Sequence, residues 1–83
     1  MDYYLFSAQN ATVAQHMAQI LSRYGITGQI QRMPALLTRQ GCSFALRIAV
    51  EDAGEARRCL GDHGMVSRHI YLRENGVYRE VSI

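Results

Sequence analysis

The sequence predicts an α+β fold in which one antiparallel β-sheet carries two helices on one face. Three observations predict it: strict apolar alternation over residues 42–50, two stretches with apolar residues at helical spacing, and an Asn75-Gly76 turn between extended segments.

The first strand covers residues 2–8, Asp-Tyr-Tyr-Leu-Phe-Ser-Ala, which are aromatic-rich, apolar and short. Asn10 then offers an N-cap, and Val13, Ala14, Met17, Ile20, Leu21 and Tyr24 recur at the spacing of one helical face. Gly25 closes that helix, since glycine enters the left-handed conformation of a C′ residue without steric cost. Ile26 to Met33 is a second extended, half-polar segment that ends at Pro34 and continues as a loop from Ala35 to Gly41. From Cys42 to Val50 the alternation puts Cys42, Phe44, Leu46, Ile48 and Val50 on one face and Ser43, Ala45, Arg47 and Ala49 on the other.

Glu51-Asp52 places negative charge on the first turn of a second helix, where the helix dipole favours it. Ala53, Ala56, Cys59, Leu60 and His63 form its inward stripe, and Gly64 stops it. Val66 to Arg73 is a fourth strand, and Asn75-Gly76 turns the chain into a fifth that runs to Ile83. The resulting β-α-β-β-α-β order is that of the ferredoxin-like split βαβ sandwich, with an added C-terminal hairpin strand. Right-handed crossovers then put strands one and three side by side in the middle of the sheet.

With 83 residues and 48% hydrophobic content, the chain holds one core, and residues 1–83 read as a single domain. It contains no run of about 18 apolar residues, and Asp2 stands where a signal peptide would carry basic residues. A soluble cytoplasmic protein with no membrane partner is expected. Nine basic residues against seven acidic ones give a net charge of +2, too slight for a nucleic-acid footprint unless concentrated on one face. The RNA-recognition signature of the same topology is also incomplete. Aligned on Gly41, the chain reads Gln40-Gly41-Cys42-Ser43-Phe44, without the basic residue and with one stacking aromatic missing. All nine basic residues are arginine, so no lysine amine is present for Schiff-base chemistry.

The two cysteines, Cys42 and Cys59, have no C-x-x-C spacing, and His16, His63 and His69 fall on separate elements, so neither a metal nor a cofactor is implied. A disulfide between them is not expected. Strand three climbs about 3.3 Å per residue and helix two returns only about 1.5 Å per residue, which leaves Cys59 part-way up the sheet.

Cys42 is the candidate for chemistry. Strand three runs opposite to strand one, so its beginning lies at the exit of strand one, facing the Ser7 to Asn10 turn. Its parity with Phe44 and Leu46 points the side chain to the helix-covered face, near the free N–H groups that open helix one. A helix N-terminus stabilises a thiolate, the form a nucleophilic or carrier sulfur uses. Asn10 and the basic Arg39 would assist there, with Ser43 beside the sulfur. Arg47, between Ala45 and Ala49 on the other face, has room for an anion. Burial as a small hydrophobe closing the core is the competing role for Cys42, and for Cys59 it is the favoured one.

At these residues the chain resembles the selenium/sulfur (Se/S) carrier protein-like family of small bacterial domains. The resemblance rests on Tyr4-Leu5-Phe6, the Asn10 cap, Ala14, Leu21, Gly25-Ile26, Met33-Pro34, Cys42-Ser43-Phe44-Ala45-Leu46-Arg47 and Glu51-Asp52, and extends over residues 2 to 72. Ser43 stands where the family has glycine, and Ala35 follows the proline where the family has arginine, a contact Arg39 would replace. The resemblance implies that Cys42 is the acceptor residue, holding sulfur or selenium delivered by a donor protein and passed to an acceptor protein. A carrier or binding protein rather than an enzyme is the expectation.

A second reading is a non-catalytic interaction or regulatory module that binds a small ligand or protein. Its basis is the sheet face away from the helices. Apolar residues from strand one must lie there, and Tyr71, Tyr78 and Val81 of the hairpin would pair with a second copy in a homodimer.

Overall fold

The structure, a computed structural model, describes residues Met1–Ile83 apart from the side chains of Arg39 and Gln40. Five strands, β1 (Tyr3–Ala8), β2 (Gln29–Arg32), β3 (Phe44–Ala49), β4 (Ile70–Glu74) and β5 (Val77–Glu80), form one sheet in the order β2-β3-β1-β4-β5. Every neighbouring pair is antiparallel. Helices α1 (Ala11–Ser22) and α2 (Ala53–Asp62) cover one face of the sheet. Two helices on one side of an antiparallel sheet are compatible with the ferredoxin-like pattern.

Local chemistry sets the ends of α1. Asn10 is extended at φ −154°, and its Oδ1 accepts from the backbone N–H of Val13 at 2.9 Å, satisfying one of the free first-turn donors. Gly25 follows the helix at φ +76°, a conformation that disfavours residues with a Cβ. Ala14, Met17, Ile20 and Leu21 face inward. Burying a side chain the size of Met17, Ile20 or Leu21 contributes about 1.5–3 kcal/mol. These residues meet Phe6, Leu46 and Ile48 of the sheet and Ala53, Ala56, Cys59 and Leu60 of α2. Tyr24, expected on the same stripe, lies beyond the end of α1 and is 49% exposed.

Several element boundaries differ from the sequence expectation. Ala35–Gln40 is a 3-10 helix rather than a loop. Pro34 starts it at φ −52°, the Thr38 hydroxyl donates to the Ala35 carbonyl at 2.8 Å, and Gly41 ends it at φ +90°. The third strand begins at Phe44, not Cys42, because pairing with β2 starts with Arg32 opposite Phe44. Val50 does not continue the buried face: it opens a 3-10 turn, Val50–Asp52, and is 45% exposed. The second, fourth and fifth strands are shorter than expected, although single hydrogen bonds carry the ladders further. Met33 N–H donates to the Ser43 carbonyl at 2.9 Å and Val81 N–H to the Ile70 carbonyl at 2.9 Å.

The sheet face away from the helices is not an uncovered apolar surface. Tyr3, Leu5, Ala45 and Tyr71 lie on it and are buried, packed with Met33, Leu37 and Cys42. The 3-10 helix brings Leu37 down as a lid over part of this face. Across the rest, the Arg47 guanidinium sits 4.1 Å from the centre of the Tyr3 ring and that of Arg73 5.4 Å from it. Of the hairpin residues on which a homodimer is expected to form, Tyr71 is buried within the chain, whereas Tyr78 and Val81 are half-buried. No helix among the described residues is long and apolar enough to cross a membrane.

Candidate functional site

Cys42 lies where the antiparallel arrangement of β1 and β3 puts it, at the end of the sheet beside the exit of β1. It forms the wall of a cavity of about 260 Å³ with Ser7, Ala8 and Gln9 of the β1–α1 connection, Val13 and Met17 of α1, and the segment joining α2 to β4. Gln9, Val66 and Arg68 are exposed and form the rim of this cavity. The thiol is free and buried, with Cys42 3% exposed.

The face on which Cys42 packs differs from the expectation. Alternation applies only within a continuous extended strand, and Cys42 precedes the first paired residue, just after the left-handed Gly41. The turn there rotates Cys42 into the cluster of Met33, Leu37, Ala45 and Tyr71, on the face opposite the helices. Cys42 thus sits at the junction of that cluster and the cavity that reaches to α1.

Tyr71 is the polar neighbour that matters most in this cluster. Its hydroxyl is buried and has no hydrogen-bond partner among the described residues. Burial pushes its pKa above the ordinary tyrosine value, with further contributions from the negative charge of Glu80 and from Cys42. The ring stacks on His69 with centroids 6.1 Å apart, and His69 Nδ1 lies 2.7 Å from Glu80 Oε2. Ser7 ties the same end of the sheet together: its N–H donates to the His69 carbonyl, and its hydroxyl accepts from the His69 N–H, both at 3.0 Å.

The other residues singled out in the sequence are dispersed. Asn10 stands near the cavity, but its Oδ1 is engaged in capping α1. Ser43 is exposed, and its carbonyl is used by Met33. Arg47 lies on the far sheet face over Tyr3 and does not line the Cys42 cavity. The side chain of Arg39 lies outside the described residues. The cation that does line the cavity is Arg68, in the connection before β4, and nothing in its local sequence marks it. Tyr71 could be read from its alternation with His69, but its reach toward Cys42 depends on the fold.

Cys59 belongs to the core between α2 and the sheet, in a different cluster from Cys42, and is likewise free. Among the described residues no three His, Cys, Asp or Glu side chains come together as a metal site. Fold and site together define a small α+β domain with one thiol at a cavity wall. Comparison with family models, with curated proteins and with solved structures finds no match to this chain.

Proposed function

We propose that this domain is a ferredoxin-like sulfur or selenium carrier in which Cys42 is the acceptor thiol. The observation that carries the reading is the position of Cys42 in the wall of a cavity of about 260 Å³, beside the β1–α1 connection. A buried thiol that only filled the core would be enclosed by packed atoms; here there is room for an added atom. The resemblance to Se/S carrier-like domains in the segment Cys42 to Arg47 supports the same role.

The chemistry required is a transfer of one atom. The Cys42 thiolate attacks the outer sulfur of a donor persulfide, R–S–SH. A new S–S bond forms on Cys42 while the donor's S–S bond breaks, and the donor leaves as the thiolate RS⁻ with the bonding pair. The thiol proton of Cys42 goes to solvent, no net electrons are gained or lost, and a selenium equivalent follows the same balance. Release to an acceptor thiolate is the reverse reaction with a different partner.

Arg68 at the rim supplies positive charge near an anionic persulfide. Tyr71 packs in the same buried cluster as Cys42 but does not line the cavity. The donor and acceptor would be proteins that present their own thiol to the rim formed by Gln9, Val66 and Arg68.

Incubation with cysteine persulfide followed by intact-mass measurement tests the reading. The expected result is a gain of one sulfur atom that persists in Cys59→Ala and is absent in Cys42→Ser. If Cys42 is freely alkylated by iodoacetamide yet gains no sulfur from the persulfide, the carrier reading fails.

A further inference from the structure

A second cavity, of about 220 Å³, lies on the helix-covered side between α2, the connection 65–68 and the C-terminal segment 80–83. Its floor is apolar, built from Phe6, Leu60, Met65 and Ile70. Its polar lining is unbalanced. Arg57 of α2 and Arg68 both border it, and neither has a carboxylate within salt-bridge distance among the described residues. The one acidic side chain on its lining, Glu80, is drawn to His69 at 2.7 Å. The Ser67 hydroxyl, also in the lining, is buried without a hydrogen-bond partner. A buried hydroxyl left unpaired costs about 1–3 kcal/mol, so one that persists calls for a partner the chain itself does not supply.

We infer that this cavity binds a small monocarboxylate with a short apolar tail. The two exposed arginines and the buried Ser67 hydroxyl have no acceptor among the described residues, and a carboxylate offers them its two oxygens. Phe6, Leu60, Met65 and Ile70 receive the tail. The volume is below the roughly 300–1,000 Å³ of pockets for drug-sized ligands, so the ligand is short. The apolar floor beneath the two guanidinium groups favours a carboxylate that carries a tail over inorganic phosphate, which has none.

The inference does not rest on the carrier role of Cys42, although Met65, Val66 and Arg68 border both cavities. Titration of the ¹⁵N-labelled protein with sodium hexanoate, followed by amide shifts, is the direct test. Saturable shifts are expected at Leu60, Ser67, Ile70 and Val81, with weaker binding of acetate, which lacks the tail, and of 1-hexanol, which lacks the charge. Arg57→Gln and Arg68→Gln should each weaken hexanoate roughly tenfold and Ser67→Ala several-fold, while Arg57→Lys recovers part of the loss. Cys42→Ser should bind hexanoate as the parent chain does, which separates this site from the carrier reading. Absence of saturable shifts overturns the inference, as does 1-hexanol binding as tightly as hexanoate. Unchanged affinity in both arginine variants, with spectra that show them folded, overturns it as well.

Discussion

The guanidinium of Arg47 lies 4.1 Å from the centre of the Tyr3 ring, so a residue of β3 covers an aromatic residue of β1 on the sheet face opposite α1 and α2. Arg73 from β4 approaches the same ring at 5.4 Å, and the Tyr3 hydroxyl reaches that of Tyr78 in β5 at 3.1 Å. Tyr3 thereby ties its own strand to three others, and its 9% exposure results from side chains folded over it rather than from a second layer of helices.

Removing that cover has a measurable cost. Arg47→Ala should lower stability by about 1 kcal/mol, combining a cation–π contact at a partly exposed site with the packing of the arginine stem. Urea denaturation should show a lower midpoint for Arg47→Ala, with Arg47→Lys in between. An unchanged midpoint would mean that the stacking contributes nothing.

Asn10 is expected to act on the helix rather than on a ligand. Asn10→Ala loses the bond to Val13 N–H and should cost about 1 kcal/mol, whereas Asn10→Asp keeps an oxygen in place and should remain near the parent. Thermal unfolding followed by circular dichroism distinguishes the two.

Gly28→Ala tests packing. A Cβ at Gly28 would fall 2.6 Å from Leu46 Cδ2 and 3.5 Å from Leu21 Cδ1, both in fully buried side chains. Replacing glycine with alanine ordinarily gains a few tenths to about 1 kcal/mol from the unfolded chain. Overpacking here should reverse the sign, to a loss of about 1–3 kcal/mol, since the fully buried Leu46 would have to leave its present rotamer. Chemical denaturation gives the sign directly.

Two tyrosines link stability to alkaline pH. The pKa of Tyr71 is raised by burial, then by Glu80 and Cys42. That of Tyr78 is raised by burial, then by its hydrogen bond to Tyr3. Because the folded state holds these protons more tightly than the unfolded chain, stability should be constant below the ordinary tyrosine value of about 10 and fall as pH rises through the higher folded values. Tyr71→Phe should flatten that fall. At neutral pH it should also raise stability by about 1 kcal/mol, because it deletes a buried hydroxyl that has no partner. Unfolding free energies measured on both sides of pH 10 give both outcomes.

Much of the architecture could be read from residues whose roles are local. Asn10 and Gly25 bracket α1 by capping and by φ, Ala53, Ala56, Cys59 and Leu60 mark the inward stripe of α2, and Asn75-Gly76 marks the β4–β5 turn. The site was harder to read. Alternation extrapolated from Phe44 and Leu46 turns Cys42 toward the helices, but Pro34, Thr38 and Gly41 build a 3-10 helix that ends two residues short of the thiol and breaks the parity. The same helix seats Leu37 on the opposite face, where it packs with Leu5, Ala45 and Tyr71.

The sequence by itself determined the element order, the helix ends and the chain position of the thiol, because caps, glycine turns and hydrophobic period act within a few residues. Only the tertiary structure decided which face Cys42 joins, and that Arg68 rather than Arg47 lines its cavity while the Tyr71 hydroxyl is buried unpaired in its cluster. Those relations join residues far apart in the chain, such as Leu5, Cys42 and Tyr71. They depend on how β3, β1 and β4 align and on where a short helix turns the chain, and no local pattern encodes that.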